Sequence, residues 1–256
     1  ARKGLKPVFV VYSSFLQRAY DQVIHDVALQ NLHVVFAVDR AGIVGEDGET
    51  HQGIYDMSFL SHIPNMTILA PCDYEEFRVM MNFAVNMVNG PVAIRYPRGR
   101  GEEFIFEHEP LYLGRGEMVC QGKDITIVSV GSMMKTAMEV SEKLQNFGVS
   151  SDVINSKFVK PIDIELIAKS VRKTKRLAVI EDNAKLGGLG SYISSMLNEN
   201  SIHVRTRHYG FPDEIITHGT KSELFRKYGL DGESITKDIL TTMKVKKISL
   251  LSLVGR

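Results

Sequence analysis

The stretch VFVVYSSFLQRAYDQVIHDVALQNLHVVFAV (residues 8–38) decides how the chain is read. It opens on Val8–Val11, a continuous apolar and β-branched run of the kind expected of a strand covered on both faces. From Phe15 to Gln30 the spacing changes. Leu16, Ala19, Tyr20, Val23, Ile24, Val27 and Ala28 recur at i, i+3 and i+4 positions and form one helical stripe. A second buried strand, His33–Val38, follows after a short turn. Strand, helix and strand in this order predict the unit of a parallel sheet.

Outward from this unit the alternation continues. A polar, Gly-rich loop runs from Asp39 to Gly53, and Thr67–Ala70 reads as a third strand. Asp73 is a good N-cap for a helix reaching Met87, with Glu76 completing a capping-box-like pair. Met80, Met81 and Met87 lie on that amphipathic helix, where packing is the expected role. A fourth strand, Val92–Tyr96, ends in Pro97-Arg98-Gly99. Residues 100–122 break the rhythm and are expected to be a linker packed across the next domain. The pattern then restarts with strand Ile125–Val130, helix Met133–Phe147 and strand Asp152–Asn155. Helix Ile162–Val171, strand Arg176–Glu181, helix Ser191–Asn198 and strand His203–Tyr209 follow, then two short helices near Ser222–Tyr228 and Ser234–Met243. The expected fold class is α/β with two domains, residues 1–115 and 116–245, each a mostly parallel sheet with helices on both faces. The tail, 246–256, lacks helical periodicity and is expected to be either disordered or an artificial extension of the natural chain.

Bulk properties exclude several functions. Of 256 residues, 44% are hydrophobic and 24% charged, the balance of a globular domain. Lys and Arg (31) nearly cancel Asp and Glu (30), so no overall field draws the chain to nucleic acid or to a membrane surface. An anion site must therefore be a local cluster. Cys72 and Cys120 stand alone without metal spacing, which fits a reduced, cytoplasmic setting. No apolar run approaches the roughly 18–20 residues that span a bilayer. The absence of an initiator Met and the immediate start at a strand lead to the expectation that the chain is a piece of a longer polypeptide.

Ligands of open parallel sheets sit outside the carboxyl ends of the strands. Three segments put polar residues there: Tyr12–Gln22, Asp39–Gly53 and Arg95–Gly99. Together they would bring Tyr12, Arg18, Arg40, Asp47, His51 and Arg98 around one crevice. Arg presents a planar fork of donors that matches phosphate, and His titrates near neutrality beside a carbonyl or hydroxyl. Asp47, four residues before His51, could bond a substrate hydroxyl or orient the imidazole. Each residue also has a plainer reading: an arginine as a surface ion-pair partner, the histidine as a solvated loop residue, Tyr12 as a core closure. Gly187-Gly188-Leu189-Gly190 lacks full dinucleotide-loop spacing and reads as a tight βα turn.

The same three segments, in this order and spacing, resemble the pyrimidine-domain signatures of the 1-deoxy-D-xylulose-5-phosphate synthase family, thiamine-diphosphate-dependent carboligases of transketolase type. Phe158–Asp163, Glu181–Asn183 and Gly187–Ser191 resemble the transketolase C-terminal domain. The resemblance covers roughly residues 4–244. It implies decarboxylative condensation of pyruvate with D-glyceraldehyde 3-phosphate, with thiamine diphosphate as electron sink and Mg2+ in the complete enzyme. It also implies a homodimer, Phe15 against the aminopyrimidine ring, and Tyr12, Arg40 and Arg98 around the substrate phosphate. Arg18, Asp47 and His51 would face the reacting carbons. The family's cofactor-activating Glu and its diphosphate- and magnesium-binding domain have no counterpart here. The chain alone is therefore expected to be inactive and to ligate no metal. Two rival readings are the β-chain of a 2-oxo-acid dehydrogenase, whose Asp39–Gly53 equivalent differs, and a regulatory module that kept only the phosphate pocket.

Overall fold

The computed structural model describes residues 1–99, 101, 103 and 108–245 and realises the alternation as two five-stranded sheets. In the first half, β1 (Val8–Tyr12), β2 (Val35–Asp39), β3 (Thr67–Leu69) and β4 (Val92–Arg95) are mutually parallel. Their helices are α1 (Ser13–Leu16), α2 (Tyr20–Gln22), α3 (Asp56–Ser61) and α4 (Tyr74–Asn86). The second half contributes β5 (Glu117–Cys120), β6 (Ile125–Ser129), β7 (Ser151–Asn155), β8 (Phe158–Lys160), β9 (Arg176–Ala184) and β10 (Arg205–Phe211). Its helices are α5 (Met134–Gln145), α6 (Ile164–Thr174), α7 (Leu189–Glu199), α8 (Lys221–Lys227) and α9 (Gly232–Met243). The sheet orders are β1-β2-β4-β3-β8 and β10-β9-β6-β7-β5, so the two-domain α/β expectation holds.

Several local expectations are corrected. Val8–Val11 is not covered on both faces: Val8, Phe9 and Val10 are 42%, 49% and 65% exposed, because β1 is the edge of its sheet. The helix expected over Phe15–Gln30 is a chain of short pieces: α1, a 3-10 turn Gln17–Ala19, α2 and a π-helical turn Val23–Ala28. The apolar stripe survives these changes, with Leu16 and Val23 buried. The linker expected over 100–122 contains β5, which pairs antiparallel with β7 and closes that sheet's edge. Asp73 does cap α4, accepting the Glu76 N–H at 2.8 Å, but the Glu76 carboxylate reaches back to the Cys72 N–H instead of the cap residue. Met80 is fully buried, whereas Met87 is largely exposed. The 246–256 tail lies outside the described residues.

The two halves are not separate bodies. β8, from the second half, pairs antiparallel with β3 of the first sheet. One apolar core runs from Leu16 and Val38 through Met57 and Leu60 to Val128, Val179 and Ile193. Each such buried side chain contributes about 1.5–3 kcal/mol. At the seam, the buried Arg95 guanidinium donates to Asp56 at 2.9 Å and across the domain boundary to Asp182 at 2.7 Å. Burial works against this charge, yet the two carboxylates hold the arginine above its ordinary pKa.

Candidate active site

The carboxyl ends of β1, β2 and β4 deliver the candidate residues. Tyr12 ends β1, and Asp39 ends β2 in register with it. The chain then turns at Arg40, which holds a left-handed φ of 59°. Its backbone N–H is fixed by the Asp39 carboxylate at 2.7 Å, and its guanidinium pairs with the same carboxylate. That local anchor offsets the unfavourable backbone. Residues 42–53 form a loop closed at its neck by Gly42 and Gly53, whose N–H and C=O groups bond reciprocally at 2.7 and 2.8 Å. Within it, 3-10 turns Gly45–Asp47 and Glu49–His51 carry the acid and the imidazole. The neck needs glycine at both positions. A Cβ on Gly53 would fall 2.1 Å from the Arg40 carbonyl, and one on Gly42 would fall 2.1 Å from Asp182 Oδ2.

All seven sequence-predicted residues lie on one connected chain of contacts. Phe15 stacks on Tyr12 with centroids 5.2 Å apart and lies 5.4 Å from the His51 ring. Arg18 sits 5.7 Å over the Phe15 ring, and Arg40 sits 3.8 Å over Tyr12. Asp47 links the arginines, with Arg98 at 3.3 Å and Arg40 Nε at 4.0 Å. Tyr12 therefore serves as a platform for a cation and does not close the core. Asp47 does not orient His51, whose Nδ1 meets Thr50 Oγ1 at 3.0 Å. Arg98 is 45% exposed, so its ion pair with Asp47 is weak and exchangeable. A phosphate could take the place of that carboxylate between the two guanidiniums.

Sequence reasoning missed a cleft on the arginine side of this group, lined by Arg40 and Arg98 but by none of the other five candidates. This cleft, of about 1070 Å³, opens from Arg40 and Arg98 past Tyr74, Phe77 and Tyr96 to Lys221 and Arg226 of the second half. No local spacing relates positions 40 and 221, so no pattern in the chain could have revealed it.

The Phe15 ring is 41% exposed and is backed by Tyr12, which fits a flat aromatic ring laid against it. For a metal, two sets of ligand-type side chains come close among the described residues, Cys72 with Asp73 and His108, and Glu76 with His108 and Glu117. Their members are already engaged. His108 bonds Asp73 at 2.7 Å, Lys157 bonds Glu117 at 2.7 Å, and Asn155 bonds Glu76 at 3.0 Å. Burial, reinforced by Glu76, holds the Cys72 thiol far above its ordinary pKa, which disfavours the thiolate that a metal needs.

With this geometry, the chain falls into the transketolase class of two-domain α/β folds. The description "Transketolase, pyrimidine binding domain" matches residues 1–102, and "Transketolase, C-terminal domain" matches residues 114–235. The chain belongs to this family. Among its relatives are proteins named 1-deoxy-D-xylulose-5-phosphate synthase. The one from Caldanaerobacter subterraneus is 48% identical over 95% of this chain. That from Chlorobaculum tepidum is 46% identical over 95%, and that from Clostridium acetobutylicum is 49% identical over 94%. The chain spans about 39% of the length of each. A solved structure titled "Split gene transketolase, inactive beta4 tetramer" superposes with a TM-score of 0.85 at 29% identity, covering 96% of this chain and 79% of that one. Among the described residues, no helix is long and apolar enough to cross a membrane.

Proposed function

We propose that this chain is the pyrimidine-binding and C-terminal part of a 1-deoxy-D-xylulose-5-phosphate synthase. That enzyme joins pyruvate to D-glyceraldehyde 3-phosphate with loss of CO2. The single observation that carries the reading is the contact chain joining Tyr12, Phe15, Arg18, Arg40, Asp47, His51 and Arg98 at the strand ends. When bound, thiamine diphosphate supplies the electron sink for decarboxylation. The chain's own residues bind and orient. Phe15 backs the aminopyrimidine. Arg40 and Arg98 clamp the phosphate of the aldehyde substrate, with the Tyr12 hydroxyl beside them. Arg18, Asp47 and His51 face the reacting carbons, where the His51 imidazole would donate a proton to the aldehyde oxygen of glyceraldehyde 3-phosphate.

The diphosphate and Mg2+ are held by a domain that this chain does not supply, either from the same polypeptide or from a partner. A dimer in a cytoplasmic setting completes the reading, supported by the exposed apolar edge at Val8, Phe9 and Val10. The test has two arms. The isolated chain should not turn over pyruvate and glyceraldehyde 3-phosphate. Grafted in place of the matching segment of the Caldanaerobacter synthase, it should restore carboligation. A folded chimera that binds thiamine diphosphate but makes no product would sink the proposal.

A further inference from the structure

We infer that Gln52 is a positioning residue through which the second domain fixes the loop carrying Asp47 and His51. The inference deepens the carboligase reading and rests on it for the roles of those two side chains. Gln52 is 4% exposed, and its amide makes two bonds. Its Oε1 accepts the Val44 N–H at 3.0 Å, across the base of the loop. Its Nε2 donates to the Thr217 carbonyl of the second domain at 3.3 Å. One planar group therefore joins the outgoing limb, the returning limb and the neighbouring domain, directly beside His51.

The rest of the loop supports the same link. Gly45 lies so close to the second domain that a Cβ there would fall 2.8 Å from the Gly219 carbonyl and 3.0 Å from the Lys221 nitrogen. At the neck, Gly42 sits against Asp182, and the Ile54 carbonyl accepts the Ala184 N–H at 2.8 Å. A Gly-rich segment with left-handed φ at Gly42, Gly45 and Gly48 has little intrinsic preference for one shape. External contacts must supply the order that a reacting-group loop needs, and here they come from the second domain.

Two variants of the full chain test this. Gln52→Glu keeps the acceptor for Val44 but sets a carboxylate oxygen against the Thr217 carbonyl. Gly45→Ala pushes the loop off residues 219–221 and leaves Gln52 intact. Amide hydrogen exchange should accelerate at residues 46–51 by about tenfold or more in both, while the strands Val35–Asp39 and Val92–Arg95 keep their protection. In the chimera, kcat should fall roughly ten- to a hundredfold with the KM for pyruvate unchanged. Unchanged loop exchange in both variants, with the strands still protected, would overturn the inference. So would a loss of kcat in Gln52→Glu without faster loop exchange, since Gln52 would then act on the ligand directly. A wild-type chimera without activity would count against the carboligase reading alone, and the exchange measurement would still decide the role of Gln52.

Discussion

Both sheets are open and mostly parallel, and both have a crevice at the carboxyl ends of their strands, yet the two crevices have opposite fates. In the first, Arg40 and Arg98 leave the strand ends and stay partly exposed on an open cleft, with the half-buried Tyr12 beneath Arg40. In the second, the strand order reverses between β6 and β9, the usual position of a ligand site. There Asp182 accepts Arg95 from the first domain and Ser132 at 3.1 Å, and Gly42 is pressed against the same carboxylate. The first domain has plugged the second domain's crevice. One architecture thus gives an open candidate site in one sheet and a joint in the other. The deciding factor is whether the polar side chains at the strand ends meet solvent or one another.

The comparison is broken most severely at the joint. Asp182→Ala removes one of two carboxylates from a fully buried guanidinium and leaves Ser132 without that partner. Breaking a buried pair from one side costs about 3–5 kcal/mol. Urea denaturation should show a loss of that order. A midpoint within error of the wild type would mean that the crevice is not plugged in solution.

The open crevice should respond in binding and not in stability. Arg98→Ala removes a half-exposed ion pair with Asp47, worth about 0–1 kcal/mol to folding. On the proposed reading, it should also remove a charge-assisted bond to phosphate in the assembled enzyme, worth about 1.5–3 kcal/mol, or roughly ten- to a hundredfold in the KM for glyceraldehyde 3-phosphate. The KM for pyruvate should stay nearly constant. Equal shifts for both substrates would make Arg98 structural and erase the contrast with Asp182.

What the chain disclosed and what it hid follow from the range of the interactions. Strands β2, β4 and β9 and the Asp73 cap were legible because their signals lie within a few residues of each other. So was the gathering of six candidate residues at the strand ends, while Phe15 entered through the family resemblance alone. The exposure of β1 was not, because Val8–Val11 reads the same at an edge as in the centre of a sheet. Strand β8 was hidden as well. Its three residues sit in a second-domain motif, and the pairing partners Ile68 and Leu69 lie some ninety positions earlier. The partnership of Arg95 with Asp182, separated by 87 positions, was equally silent, so Arg95 was read only as part of a strand end. Gln52 stood inside the quoted motif, but only the folded loop shows which carbonyl it meets.

The smallest effect sharpens the boundary between joint and site. Helix α8 begins directly after the segment that receives Gln52, and Thr220 caps it with a full capping box. Thr220 Oγ1 accepts the Glu223 N–H at 3.3 Å, while the Glu223 carboxylate accepts the Thr220 N–H at 3.0 Å and the Thr220 hydroxyl at 2.7 Å. These bonds, the Thr220 hydroxyl first, hold the Glu223 carboxyl below its ordinary pKa. A carboxylate depressed in the folded state stabilises fully above the ordinary glutamate range, and this contribution is lost as the pH falls through the depressed value. Loss of the N-cap hydroxyl in Thr220→Ala should cost about 1 kcal/mol at neutral pH. The difference from wild type, followed by urea midpoints, should narrow in acid, where a protonated Glu223 no longer bonds the hydroxyl strongly. Substrate constants of the assembled enzyme should not move, because Gln52 holds a backbone carbonyl at position 217 and not the cap itself. A changed KM in Thr220→Ala would mean that the start of α8 belongs to the site, and the line between the open crevice and its support would have to be redrawn through the second domain.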